Sequence, residues 1–134
     1  MLLLSTGLLL LPMLQVTALV AKNPLTSSRT RAAIDLAQDA IDRFQRIPWE
    51  SIRSSSADGF EQTRDGIVPV FSRLPAAAGD SVLVQGTVYY RLWHVAADPD
   101  LPNLKTVTVF CCWRQGERLW RHTVLVTQLA DVGY

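Results

Sequence analysis

The sequence predicts an α+β protein: a long N-terminal helix, membrane half first and amphipathic half second, packed on an antiparallel sheet of three to four strands. Three observations predict it. Met1 to Ala21 carries no charged side chain and nine leucines. From Arg29 to Ile47 the apolar residues return at helical spacing. From Ser81 onward the period changes to two. The chain divides accordingly into 1–21, the membrane half of the helix; 22–48, the amphipathic helix; 49–80, a variable loop with an edge strand; and 81–134, a β-meander.

As a helix the opening run is about 30 Å long at 1.5 Å per residue, the thickness of a bilayer's hydrocarbon core. Its nine Leu and two Val favour insertion by about 3 to 6 kcal/mol. Leu2, Leu3, Leu4, Leu8, Leu9, Leu10, Leu11, Pro12 and Leu14 are the residues assigned to the span. Pro12 would break a soluble helix but is tolerated in a membrane one. Two rivals are weaker. A cleaved secretory signal opens on a positive region and closes on an A-x-A-like site, whereas here only Met1 precedes Leu2 and the end reads Ala18-Leu19-Val20-Ala21. A buried core helix of a small domain shows a polar face, and this run has none. Cytoplasmic flanks should hold Lys and Arg, yet the first positive residues are Lys22, Arg29 and Arg31. The expectation is therefore either a cytoplasmic body or a charged segment upstream of Met1.

Asn23-Pro24 breaks the run, and Thr26, Ser27 and Ser28 offer N-caps. The helix predicted from Arg29 to Ile47 carries Ile34, Ala37, Ile41 and Phe44 on the stripe that packs on the sheet. Ala33, Leu36, Ala40 and Ile47 widen it. Arg31, Asp35, Asp39, Asp42, Arg43 and Arg46 lie largely off it, as a solvated face. Pro48 stops the helix. Trp49 to Gly66 has no period and holds the breakers Ser54-Ser55-Ser56 and Asp58-Gly59, so it reads as a loop. Ile67 to Arg73 reads as a short edge strand, because Pro69 cannot sit at a sheet centre. Pro75 to Asp80 is a second loop. Val82 to Val95 reads as one long strand with a bulge at Gly86. Asp98-Pro99-Asp100 and Pro102-Asn103 turn the chain into Leu104–Arg114, rich in Thr, Val and aromatics. Gln115-Gly116-Glu117 is a tight turn, and Leu119 to Ala130 is the last strand.

Little in the chain points to chemistry. Thirteen Lys+Arg against twelve Asp+Glu give a formal charge of +1, with no basic block to bind nucleic acid. The reactive candidates are His94, His122, Cys111 and Cys112. Strand geometry puts Cys111 opposite about Tyr90 and roughly 13 Å from His94 at 3.3 Å per residue. The last hairpin brings His122 near Cys111, but two ligands do not make a zinc site, and no carboxylate stands by to orient a Cys–His pair. Of the adjacent cysteines, one is expected buried and one partly exposed. Trp113 and Trp120 are expected to pair across the hairpin. No phosphate-binding glycine loop exists. The expectation is no enzyme activity, no catalytic residue, no cofactor, no metal, no nucleic acid and no small-molecule substrate.

Three stretches carry a resemblance. Ser5 to Leu19, STGLLLLPMLQVTAL, resembles the rear part of the N-terminal helix of the type IV pilin family. The likeness is greatest to its PilV-type minor pilins and to the minor pseudopilins of type II secretion. Leu36 to Ile52, LAQDAIDRFQRIPWESI, resembles their L-A-Q/E run with its acidic helix and Pro-aromatic stop. Lys105 to Ala130, KTVTVFCCWRQGERLWRHTVLVTQLA, resembles their final hairpin. The family's leader and Gly-Phe-Thr-Leu-Ile-Glu cleavage signature are absent and would be expected upstream of Met1. The resemblance implies a pilin-like fold and a structural subunit that initiates or modifies a type IV pilus or type II secretion pseudopilus. It also implies a single-pass inner-membrane chain with a periplasmic C-terminal domain, later part of a filament, whose partners are other pilin or pseudopilin subunits met through the N-terminal helix. The alternative is an unrelated membrane-anchored or secreted β-domain that binds a protein partner.

Overall fold

The computed structural model describes residues 15–19 and 27–131. In chain order these form β1 (Gln15–Leu19), α1 (Ser27–Phe44), a 3-10 turn (Trp49–Ser51), β2 (Phe60–Thr63), β3 (Gly66–Pro69), a second 3-10 turn (Phe71–Arg73), β4 (Asp80–Val84), β5 (Thr87–Ala97), β6 (Leu104–Gln115) and β7 (Leu119–Ala130). β2 and β3 form a two-stranded sheet of their own. The other strands form one antiparallel sheet in the order β1-β7-β6-β5-β4.

This corrects the predicted fold class. Among the described residues the protein is mostly β, with a single α-helix of 18 residues, and the expected long N-terminal helix is not what the chain forms where it is described. Gln15 to Leu19, assigned to the end of that helix, is a strand on the edge of β7, in register from Gln15↔Gln128 to Leu19↔Val124. The reason is local. Val16 and Thr17 are β-branched and favour extended backbone, and an uncovered β7 would present a row of unpaired N–H and C=O groups. The span residues Leu2, Leu3, Leu4, Leu8, Leu9, Leu10, Leu11, Pro12 and Leu14 lie outside the described residues. Among the described residues no helix is long and apolar enough to cross a membrane.

α1 ends at Phe44, three residues short of the prediction. Its last turn closes through Gln45 N–H to Ile41 O at 3.3 Å and Arg46 N–H to Arg43 O at 3.0 Å. Ala33, Ala37, Ala40, Ile41 and Phe44 are buried against the sheet, and Ile34 packs half-buried beside them. Three alanines on that face let the helix axis approach the strands closely. The sheet supplies Tyr89, Val107, Val109, Cys111, Trp113, Leu125 and Leu129.

The opposite face of the sheet is also covered, which the prediction did not include. β2 lies in the stretch read as a loop, and the edge strand read at Ile67–Arg73 is β3 (Gly66–Pro69) followed by a 3-10 turn; the two strands form a hairpin apart from the large sheet, paired from Phe60↔Pro69 to Thr63↔Gly66. Phe60, Ile67, Phe71 and Leu74 from this region pack over Leu92, Phe110, Cys112 and Val124. The predicted long strand Val82–Val95 is two strands: Gln85 (φ 48°) and Gly86 (φ 80°) both take positive φ, the two-residue turn of a tight hairpin rather than a bulge.

Candidate functional site

The adjacent cysteines lie on opposite faces of β6, as strand alternation demands. Cys111 stands opposite Arg91 and Thr123, under α1; Cys112 stands opposite Tyr90 and His122, under the β2–β3 side. Both are fully buried, so the expected half-exposed partner does not exist; cover on both faces removes it. His122 therefore neighbours Cys112 and not Cys111, a register one residue from the expected one, which exchanges the faces. Trp113 and Trp120 do not pair either. Trp113 is opposite Arg121, and Trp120 is opposite Arg114. Trp113 packs against Tyr89 on the helix side (5.7 Å between rings), Trp120 against Tyr90 on the other (5.7 Å).

Burial decides what these groups can do. The Cys111 thiol is pushed up to about 12 by loss of solvent, against a smaller pull from Arg91. Cys112 is driven up further by the same cause. Neither forms the thiolate that nucleophilic chemistry or metal ligation needs. Burial also lowers the pKa of His94 and of His122 from 6.5, favouring the neutral rings. His94 lies edge-on to Phe60 at 5.4 Å, and His122 sits against Phe71 at 5.3 Å. Among the described residues no three His, Cys, Asp or Glu side chains gather as metal ligands would.

Two polar clasps that sequence reasoning missed hold the frame. Arg91 donates through Nε and Nη2 to the Asp80 carboxylate at 2.8 and 2.6 Å, and through Nη1 to Leu36 O of α1 at 3.0 Å. Arg43 approaches the same carboxylate at 3.6 Å. Lys105 donates to Trp49 O at 2.6 Å and Ile52 O at 3.1 Å and lies over the Trp49 ring. An arginine and a lysine at strand positions otherwise filled by apolar residues were the signals.

The surface features suited to contact lie at the β4–β5 end. Leu83 is 68% exposed and Val88, its cross-strand partner, 38%. They share a face with Tyr90, Trp120 and Arg114, whose guanidinium lies 4.8 Å from the Trp120 ring. The sequence signal for this surface was the Gln85-Gly86 turn, read as a bulge. The outer side of α1 exposes Arg31, Asp35, Asp39 and Arg43, and Arg46 is exposed just beyond its end. No protein-family model, curated protein or solved structure matches the chain.

Proposed function

We propose that the chain is a structural subunit of pilin type, a minor pilin or pseudopilin that takes part in initiating or modifying a type IV pilus or type II secretion pseudopilus. The observation that carries this reading is an amphipathic helix laid across an antiparallel meander and preceded in the chain by an uncharged, leucine-rich run. Two of the three stretches that resemble the family fall on coherent units. Leu36–Ile52 is the end of α1, the Pro48 stop and the first 3-10 turn, and Lys105–Ala130 is the β6–β7 hairpin. The reading places the leucine-rich stretch Met1–Leu14 against lipid and then against other subunits, on the strength of its composition, with the sheet, β1 included, in the periplasm. The thiols and imidazoles serve packing in this reading, and the chain needs no cofactor.

The test is fractionation of the full-length tagged chain in cells that build such a filament. The expected result is pelleting with inner membranes through alkaline carbonate, and recovery of a portion with sheared filaments. A chain recovered wholly as a soluble monomer with residues 1–21 still attached overturns the proposal.

A further inference from the structure

The large sheet ends in two edge strands, β1 beside β7 and β4 beside β5. β1 pairs with β7. On the other side β4 pairs only with the first half of β5, from Thr87 to Arg91. Beyond it β5 is met by two serines: Val95 N–H donates to Ser54 Oγ at 2.8 Å, Trp93 N–H donates to Ser55 Oγ at 3.0 Å, and Ser55 N–H donates to Trp93 O at 2.9 Å. Among the described residues nothing pairs with the outer side of β4. Its sequence, Asp80-Ser81-Val82-Leu83-Val84, has none of the lysines or prolines that usually blunt an edge. The two-residue turn makes Val84–Thr87 the first hydrogen-bonded pair, so Ser81 and Leu83 turn their backbone groups outward.

From this we infer that β4 is a self-pairing edge, where a second copy of this chain joins antiparallel about a two-fold axis through Val82. The strand is complementary to itself in that register. Ser81 meets Leu83 of the second copy, and each pair exchanges the outward N–H and C=O groups. Asp80 falls opposite Val84, so no like charges meet, and the carboxylate stays with Arg91 and Arg43. The exposed Leu83 gains cover on the face it shares with Val88 and Tyr90. Such an isologous contact closes at two copies. It is independent of the filament reading, which needs contacts that do not close.

Cross-linking of the full-length chain tests the pairing. Residues facing each other across a two-fold at a non-hydrogen-bonded position approach within disulfide range. Val82→Cys under a mild oxidant should give a covalent dimer. Leu101→Cys, exposed at the far β5–β6 turn, should not. Ser81→Pro added to Val82→Cys removes an outward N–H and should abolish the dimer, while the buried Cys111 and Cys112 stay unreactive as the sign of an intact fold. In sedimentation of the otherwise native chain, Leu83→Lys should shift the population from pairs to single copies. Equal cross-linking of Val82→Cys and Leu101→Cys overturns the inference, as does a dimer that survives Ser81→Pro or sedimentation unchanged by Leu83→Lys. Membrane fractionation tests the other reading separately.

Discussion

Arg91 is the residue on which three elements meet. It sits at the boundary of burial, its side chain 10% exposed, while its Asp80 partner keeps 29%. A guanidinium so placed costs desolvation, and it is held by two carboxylate bonds and one helix carbonyl. These partners raise its pKa, the Asp80 hydrogen bonds most. Arg91→Met leaves Asp80 with only the longer Arg43 contact and strips Leu36 O of its side-chain donor. Because Asp80 retains some water, the loss should be about 2 kcal/mol rather than the larger cost of orphaning a fully buried charge. Urea titration checks it, with Arg91→Lys intermediate because an ammonium cannot make the bidentate contact. The two histidines give a second residue-scale expectation. Their folded pKa values lie below 6.5 because burial favours the neutral ring, so the unfolded chain takes up protons first. Stability should be full above about pH 6.5 and fall as pH drops through that value towards the folded pKa. Asp58 acts in a separate window. The Ser56 hydroxyl and then Arg73 lower its pKa from 3.8, and that contribution is present above 3.8 and lost as pH falls further. His122→Phe should lessen the fall of the melting temperature below pH 6.5, with His94 still contributing, and leave the acid limb below 3.8 in place.

At the scale of elements, most of what the sequence revealed came from period and punctuation. β7 was legible to the residue because its positions from His122 to Ala130 alternate between less buried and buried sites. The apolar stripe of α1 was legible because alanines, Ile41 and Phe44 recur at helical spacing. Of the β2–β3 hairpin only β3 was read, as an edge strand at Ile67–Arg73; β2 and the pairing were not, since four-residue strands are too short to show a period. The hairpin's cover over Cys112 and His122 went unread with them, and so did the interior character of both cysteines. The β4–β5 turn was missed for a different reason: glutamine at the first turn position conceals a conformation that sequence readers associate with Asn-Gly. That mismatch is itself testable. Gln85 holds φ at 48°, where an ordinary side chain is disfavoured by about 1 kcal/mol and asparagine less so. Gln85→Asn should raise stability by a few tenths of that to about 1 kcal/mol in thermal unfolding, without altering the sheet. Lowered stability would mean that the glutamine side chain makes a contact worth more than the strain. The edge clasp beside it is tightly built. A Cβ on Gly79 would lie 2.6 Å from Trp93 Cη2 and 2.8 Å from Ser55 Cβ, so this position requires glycine for space rather than for backbone freedom.

The whole molecule is a sheet with two interiors, and the adjacent cysteines report on them separately. Cys111 belongs to the core under α1, with Phe44 and Trp113; Cys112 belongs to the core under the β2–β3 side, with Phe110 and Leu74. The two covers differ in strength. α1 contributes 18 residues and five buried side chains of its stripe, whereas the hairpin is a pair of four-residue strands that covers its face through a few aromatic and aliphatic contacts. Local opening should therefore favour the hairpin side, because the free energy of opening follows the apolar surface released. In the native chain at pH 8, a thiol reagent should label Cys112 faster than Cys111. Both should be slow, since each is closed and undissociated in the folded state. Phe60→Ala removes a ring that contacts His94 and Phe110. It should speed labelling of Cys112 severalfold and leave Cys111 nearly unchanged. Phe44→Ala empties a site in the other core, where a buried phenylalanine is worth about 3 to 5 kcal/mol, and should accelerate Cys111. Site-resolved mass spectrometry of the labelled peptide separates the two positions, because the sulfurs differ in residue number though not in neighbourhood along the chain. If both thiols respond equally to each substitution, the two interiors open only together. The sheet would then be a single cooperative unit in which neither cover moves without the other.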